Sequence, residues 1–231
     1  MPSTAPPPIA GVLFDFHSTL VDQGDGTAWL DLAWARLRRA GTPSASLGQD
    51  TAARLSALLH RVWEGARLID PHNRRDLDTA SHRAVFGELI TTHFAGLEPE
   101  LVDSLYATLT EPWVAYEDAI PTLTALRDKG IRIALVSNIG TGIQSVLDRC
   151  GLTDMLDAVV LSYQVGAVKP GPDIFEHALR AIDVPAEQAL MVGDSWQDDG
   201  GAAALGCRVL ILPRTTGPVH GLHQVLALTP W

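Results

Sequence analysis

Four apolar runs in this chain each end in a polar cluster, and each cluster carries residue types that handle charge. Asp15, His17, Ser18 and Thr19 follow the run over residues 9–14. Ser137 and Asn138 follow IRIALV, Lys169 lies in VGAVKPGPDIF, and Asp194, Asp198 and Asp199 lie in MVGDSWQDDGGA. Carboxylates are the ligands of hard divalent cations. A hydroxyl and backbone N–H groups beside a helix start suit an anion, and one ammonium adds a cation for phosphate charge. The sum is a Mg2+ site beside a phosphate pocket. Any one cluster alone is ordinary turn chemistry. Their repetition, each after a strand-like run, is what points to a site.

Such clusters meet only if the runs are neighbouring strands of one sheet. The runs at 9–14, 131–136, 158–161, 189–192 and 208–212 are continuously apolar, as strands buried on both faces are. Helical patterns separate the later ones, at 119–129, 142–150, 173–182 and 201–205, and a last helix is expected over 219–226. Strand–helix alternation implies a parallel sheet covered on both faces, and the carboxyl ends of its strands converge on one crevice. Between the first two strands the pattern is helical throughout: residues 27–40, 49–66, 78–94 and 99–109, with no strand interrupting. The expected fold is α/β, a Rossmann-like doubly wound parallel sheet of five strands with an inserted all-helical cap. The core takes residues 9–21 and 111–231, the cap 22–110, and the Pro-rich residues 1–8 a disordered leader.

Composition narrows the class. The chain has 231 residues, 46% of them hydrophobic, enough for a sizeable core. Its formal net charge of −10 speaks against nucleic acid as a partner. No apolar stretch reaches the ~18 residues of a membrane span. Two cysteines, Cys150 and Cys207, make neither a disulfide framework nor a zinc site. The N-terminal residues lack the basic and long apolar regions of a signal peptide. These features suggest a cytoplasmic protein, monomer or homodimer, with a small-molecule partner.

The four clusters resemble the motif set of the haloacid dehalogenase superfamily, and the resemblance runs over nearly the whole chain. Asp15-Phe16-His17-Ser18-Thr19 stands for its first motif, Ser137 for the second, Lys169 for the third, and Gly193-Asp194 with a further Asp for the fourth. The resemblance implies a Mg2+-dependent phosphatase of a small phosphorylated metabolite. Asp15 would be the nucleophile that forms an aspartyl-phosphate. Mg2+ would be held by Asp15, the His17 carbonyl, Asp194 and Asp198, which is favoured over Asp199 as the second acid. Ser137, Asn138 through its backbone, and Lys169 would bind the transferring group, and Thr19 would orient the loop.

One departure matters. The family's phosphatases usually carry a second Asp, their general acid and base, where this chain has His17. His17 can take the same role, since imidazole titrates near pH ~6.5. Alternatives are a 2-haloacid dehalogenase-like hydrolase, or a catalytically degenerate member acting as a binding or regulatory module. The three acids of the fourth motif favour the metal-dependent phosphoryl reaction over dehalogenation. The helical block contains no Lys, which argues against Schiff-base phosphonate cleavage. In that block the polar run His72, Asn73, Arg74 and Arg75 offers contacts to the leaving group, with Arg74 and Arg75 placed to meet a second anion. Trp29, Trp34 and Trp63 read as core of the block.

Overall fold

A computed structural model describes residues 6–42, 47–215 and 217–229. Most of the leader expected over residues 1–8 therefore lies outside the described residues, but Pro7 is tied down: its carbonyl accepts from Arg208 Nη2 at 2.8 Å.

The chain opens with β1 (Gly11–Phe14), then the short β2 (Val21–Asp22). Five helices follow: α1 (Gly26–Arg39), α2 (Gln49–Leu59), α3 (Val62–Ile69), α4 (Thr79–His93) and α5 (Pro99–Ala107). The second short strand, β3 (Val114–Ala115), pairs antiparallel with β2 and returns the chain to the sheet. Thereafter come α6 (Ala119–Asp128), β4 (Arg132–Ser137), α7 (Gln144–Arg149), β5 (Ala158–Leu161), α8 (Ser162–Val165) and α9 (Pro172–Ile182). The described chain closes with β6 (Ala189–Gly193), β7 (Arg208–Ile211) and α10 (Gln224–Leu228).

The expected parallel sheet is present, with strand order β5-β4-β1-β6-β7. Its strands read as unbroken apolar runs because both faces are covered. Val12, Phe14, Ile133, Leu135, Leu190 and Val192 pack into one core; the intervening Leu13, Ala134, Val136, Ala189 and Met191 pack into the other. The order places β1 centrally, and the register sets Phe14 level with Leu135 of β4 and Val192 of β6. The residues just beyond these three therefore emerge side by side at one edge.

Helices α1 to α5 share a separate core around Trp29, Leu55, Leu59, Phe86 and Leu105. Trp29 is buried with its indole N–H given to the Leu105 carbonyl at 3.0 Å. The block joins the sheet through the β2–β3 ribbon and through Gly24, whose φ of +74° and near contact with the Pro112 carbonyl leave no room for a side chain. No helix among the described residues is long and apolar enough to cross a membrane. Both cysteines are free.

Three expected elements differ. The helix expected over 49–66 breaks between Leu59 and Val62, where the buried Gln23 side chain takes the His60 carbonyl. The expected helix 201–205 is a 3-10 run, Asp199–Leu205. The expected last helix begins late, because the backbone N–H groups of His220, Gly221 and Leu222 are wrapped around the Asp118 carboxylate at 2.7–3.0 Å.

Candidate active site

The carboxyl edge of the sheet delivers Asp15, Ser137, Lys169 and Asp194 into one cleft of about 530 Å3, closed on the far side by α3 and the segment after it. Asp15 leaves β1 with its own N–H held by the Val192 carbonyl at 2.9 Å. The chain then turns sharply: Thr19, Leu20 and Val21 all donate to the Phe16 carbonyl, and Ser18 takes a left-handed φ of 66°. The turn brings Thr19 back, so that its hydroxyl donates to Asp15 Oδ2 at 3.1 Å.

Lys169 is the hub. Its buried ammonium lies 2.6 Å from Asp15 Oδ1 and 2.7 Å from Asp199 Oδ1. Burial opposes the charge, but the two carboxylates outweigh it and raise the pKa, so Lys169 stays protonated. Asn138 holds the lysine in place: its side-chain amide donates to the Lys169 carbonyl at 2.9 Å and accepts from the Lys169 N–H at 2.7 Å. Asn138 thus acts through its side chain on Lys169, a brace the sequence reading did not include. Ser137, at the end of β4, lines the cleft beside it.

The fourth motif requires a correction. Asp199, not Asp198, joins Asp15 and Asp194; oxygen atoms of these three lie within 4.8 Å of one another. Asp199 is fully buried, with Oδ2 accepting the Ser195 N–H at 3.0 Å. Asp198 turns the other way. It pairs with Arg67 of α3 and accepts from Asn73 Nδ2 at 3.1 Å and Ser195 Oγ at 3.1 Å. It ties the helical block to the sheet. Gly193 makes room for this: a Cβ there would lie 2.0 Å from the Asp199 carboxylate. Gly193→Ala is therefore expected to push Asp199 off Lys169 and lower kcat/KM by about 10²-fold with the circular dichroism unchanged. An unaffected kcat/KM would show that Asp199 need not sit there.

The three carboxylates carry more charge than one lysine answers. Burial, with Asp15 and Asp199 nearby, pushes Asp194 up from 3.8 to about 8, and burial pushes Asp199 up to about 6 against the pull of Lys169. A pocket of oxygen donors with this excess of negative charge fits a hard divalent cation. The consequence for stability has a definite sign. Folded Asp194 keeps a proton that the unfolded chain releases, so the metal-free fold loses stability as pH rises toward 8. Below 6.5 the opposite trend of His17 and His82, both lowered from 6.5 to about 4, competes with it. Asp199 and Asp76, both raised to about 6, act in the same direction as Asp194 but have lost their protons as pH approaches 8, where the histidines are neutral in both states and Asp194 dominates. Metal-free protein is expected to melt at a lower temperature near pH ~8.5 than near pH ~6.5, and Mg2+ to raise the midpoint more at the higher pH. A Mg2+ effect independent of pH would count against the assignment.

His17 packs on Trp113, ring centroids 5.0 Å apart, and its Nδ1 is 3.1 Å from Ser18 Oγ. Nε2 is buried without a hydrogen bond. Burial first, then the Arg214 guanidinium, hold the ring neutral with a pKa of about 4, while Asp22 and Gln23 pull weakly the other way.

The helical block adds residues to the cleft that the sequence reading treated differently. Trp63 packs against the block's core, as expected, and lines the cleft as well. Arg75, expected to face a second anion, is buried between Asp76 at 3.3 Å and Asp70 at 3.6 Å, while Arg74 is exposed. Asp76 and His82, neither of them singled out from the sequence, are buried at the same wall. The wall is locked to the sheet where Ser162 Oγ donates to the Asp76 carbonyl at 2.6 Å. A Cβ on Gly140 would strike His82 Cβ at 2.5 Å. No spacing signal marked these two residues; they become visible only through the contact.

Comparison with known proteins places this arrangement. A ribulose-1,5-bisphosphate 5-phosphatase of Halopiger xanaduensis is 36% identical over 113 residues, 48% of this chain and 47% of that one. The chain spans about half the length of the first curated relatives it matches. Among solved structures, a haloacid dehalogenase superfamily phosphatase from Thermococcus onnurineus superposes with a TM-score of 0.61 at 23% identity, covering 95% of this chain and 97% of that one. A 2-haloacid dehalogenase from Pseudomonas syringae gives the same TM-score of 0.61 at 22% identity and the same coverage, so the fold does not separate the two chemistries. The profile of the haloacid dehalogenase-like hydrolases matches residues 9–206, and with the four motifs gathered at one sheet edge the chain belongs to that family of hydrolases.

Proposed function

We propose that the protein is a Mg2+-dependent phosphohydrolase of a small phosphorylated metabolite, working through an aspartyl-phosphate on Asp15. The observation that carries this is the buried cluster of Asp15, Lys169, Asp194 and Asp199, a lysine beside more carboxylates than it can neutralise. Attack on carbon, as in a dehalogenase, has no use for the extra acids. The relatives named as phosphatases point the same way.

Asp15, Asp194 and the His17 carbonyl would hold the metal, with Asp199 supporting it. When bound, Mg2+ supplies positive charge for the phosphoryl oxygens. Ser137 and Lys169 bind the transferring group, and Thr19 fixes the Asp15 carboxylate through Oδ2. An Asp15 oxygen forms the bond to phosphorus, and the bond to the leaving oxygen breaks. The alkoxide departs toward the helical block, which acts as a cap over this step, and takes its proton from solvent as it leaves the cleft.

A neutral His17 brings no proton to that alkoxide. It serves the second step instead. His17, with Nδ1 3.1 Å from Ser18 Oγ, is the base toward the water that cleaves the acyl-phosphate, a role that requires the buried Nε2 to open to the cleft. Free phosphate and the Asp15 carboxylate result.

The test is phosphate release from a panel of small esters with Mg2+ and with chelator. Mg2+-dependent release supports the reading. The absence of an acid at position 17 keeps the dehalogenase alternative in the test: chloride release from a 2-chloro acid, with no phosphate release under either condition, would replace the proposal.

A further inference from the structure

Asp198 stands outside the acid cluster, yet its carboxylate is mostly buried and accepts hydrogen bonds from both halves of the molecule. From the helical block, Asn73 Nδ2 donates to Oδ1 at 3.1 Å, and Arg67 Nη2 donates to Oδ2. The other arm of the same guanidinium reaches Gln197 Oε1 at 2.8 Å. From the loop after β6, Ser195 Oγ donates to Oδ2 at 3.1 Å.

Ser195 is where the two acids of this loop meet. Its Oγ accepts the Asp198 N–H at 3.3 Å, while its backbone N–H donates to Asp199 Oδ2 at 3.0 Å and its carbonyl accepts the Asp199 N–H at 2.8 Å. Asp199 Oδ1 then takes the Lys169 ammonium at 2.7 Å, and that ammonium holds Asp15 at 2.6 Å. The path from Arg67 through Asp198, Ser195 and Asp199 to Lys169 is unbroken. Trp196 and Gln197, the two residues inside the loop, are exposed, so its shape rests on these polar contacts rather than on packing.

We propose that Asp198 is a positioning residue for the Mg2+ site: by holding Arg67 and Asn73 of the helical block and Ser195 of the loop at once, it makes the order of Asp199 depend on the docked block. Mg2+ affinity and block docking are then linked, and by reciprocity Mg2+ strengthens the docking. The inference rests on the phosphohydrolase reading above. Charge alone predicts the opposite sign. Arg67 is a cation, and deleting a cation near a cluster of carboxylates would tighten Mg2+ binding. Deleting a residue that orders Asp199 weakens it.

Calorimetric titration of Mg2+ into the metal-free protein reads that sign. Arg67→Ala is expected to raise the Mg2+ Kd about tenfold and Asp198→Ala to raise it by a similar factor, with the double variant no worse than the weaker single one, because both cut one path. Arg67→Lys, which restores the charge and a donor, is expected to recover most of the affinity. Arg83→Ala removes the same charge from an exposed pair with Asp103 and should keep the wild-type Kd. The Arg67 side chain is 33% exposed, so Arg67→Ala keeps the fold and decides the sign even where Asp198→Ala does not fold. A Kd unchanged or lowered in Arg67→Ala, or single effects that multiply in the double variant, would overturn the proposal, reduce Asp198 to a tie between block and sheet, and leave the phosphohydrolase standing. No Mg2+ binding by the wild-type protein would bring down both.

Discussion

Asp15→Asn is expected to abolish phosphate release, by at least about 10³-fold in kcat, while the fold and its thermal midpoint persist. An amide nitrogen or oxygen does not form the acyl-phosphate, so the loss falls on the chemical step. The contacts around the side chain survive. The amide oxygen can still accept from Lys169 and the amide nitrogen can face Thr19 Oγ1, where Asp15 now offers Oδ1 at 2.6 Å and Oδ2 at 3.1 Å. Lys169 also keeps Asp199 at 2.7 Å. The metal-free variant should be, if anything, more stable near pH ~8, because Asp15 is one of the charges that push Asp194 up to about 8. Rate measurement on the best ester of the panel, with a melting curve on the same sample, checks both halves. Retention of more than about a tenth of the rate would refute the nucleophile assignment. A collapsed midpoint would assign Asp15 a structural duty that the geometry does not predict.

The second large effect is on stability. Lys169→Met should destabilise the metal-free protein by about 3–5 kcal/mol, the cost of removing one partner from a buried ion pair. For a chain of this size that is on the order of 10 °C in the melting midpoint. Methionine keeps most of the stem volume, so the cavity contribution is small. What remains is electrostatic. Asp15 and Asp199 lose the ammonium that both of them touch, beside an Asp194 already protonated up to about pH 8. The sign follows: without the lysine these carboxylates hold their protons more tightly in the folded state, so the deficit should shrink as pH falls. Saturating Mg2+ should also recover much of the midpoint while activity stays low, because the lysine's hydrogen bonds to the transferring group are still missing. A midpoint lowered equally at all pH values and indifferent to Mg2+ would show a packing loss instead.

Much of this molecule is legible without coordinates. The strands are unbroken apolar runs because helices cover both faces of the sheet, and the helical insertion is marked by the absence of any period-two stretch between residues 22 and 110. Asp15, Ser137 and Asp194 were readable because each stands at or just past the end of a strand, where the backbone leaves only one edge to reach, whereas Lys169 lies farther on, beyond the short α8, and was marked by its place in VGAVKPGPDIF. Their types and order also carried the family. The chain's own letters determined, then, the layered fold, the sheet edge that holds the chemistry and the charges gathered there.

What the tertiary structure decided concerns side chains whose direction depends on a neighbour distant in the chain. Asp198 and Asp199 are adjacent and chemically identical, and only the phase of the 3-10 run after them turns Asp199 to Lys169 and Asp198 to Arg67, 131 residues away. The break between α2 and α3 follows from Gln23 reaching His60, which no local propensity encodes. Arg75 reads in the sequence as a cation for a second anion, but in the fold Asp70 and Asp76 surround it. The neutrality of His17 depends on burial and on Arg214, a residue nearly two hundred positions along the chain. Spacing along a chain sets which edge of a sheet a residue reaches. Burial and through-space charge set what it does there, and these exist only once the chain has closed upon itself.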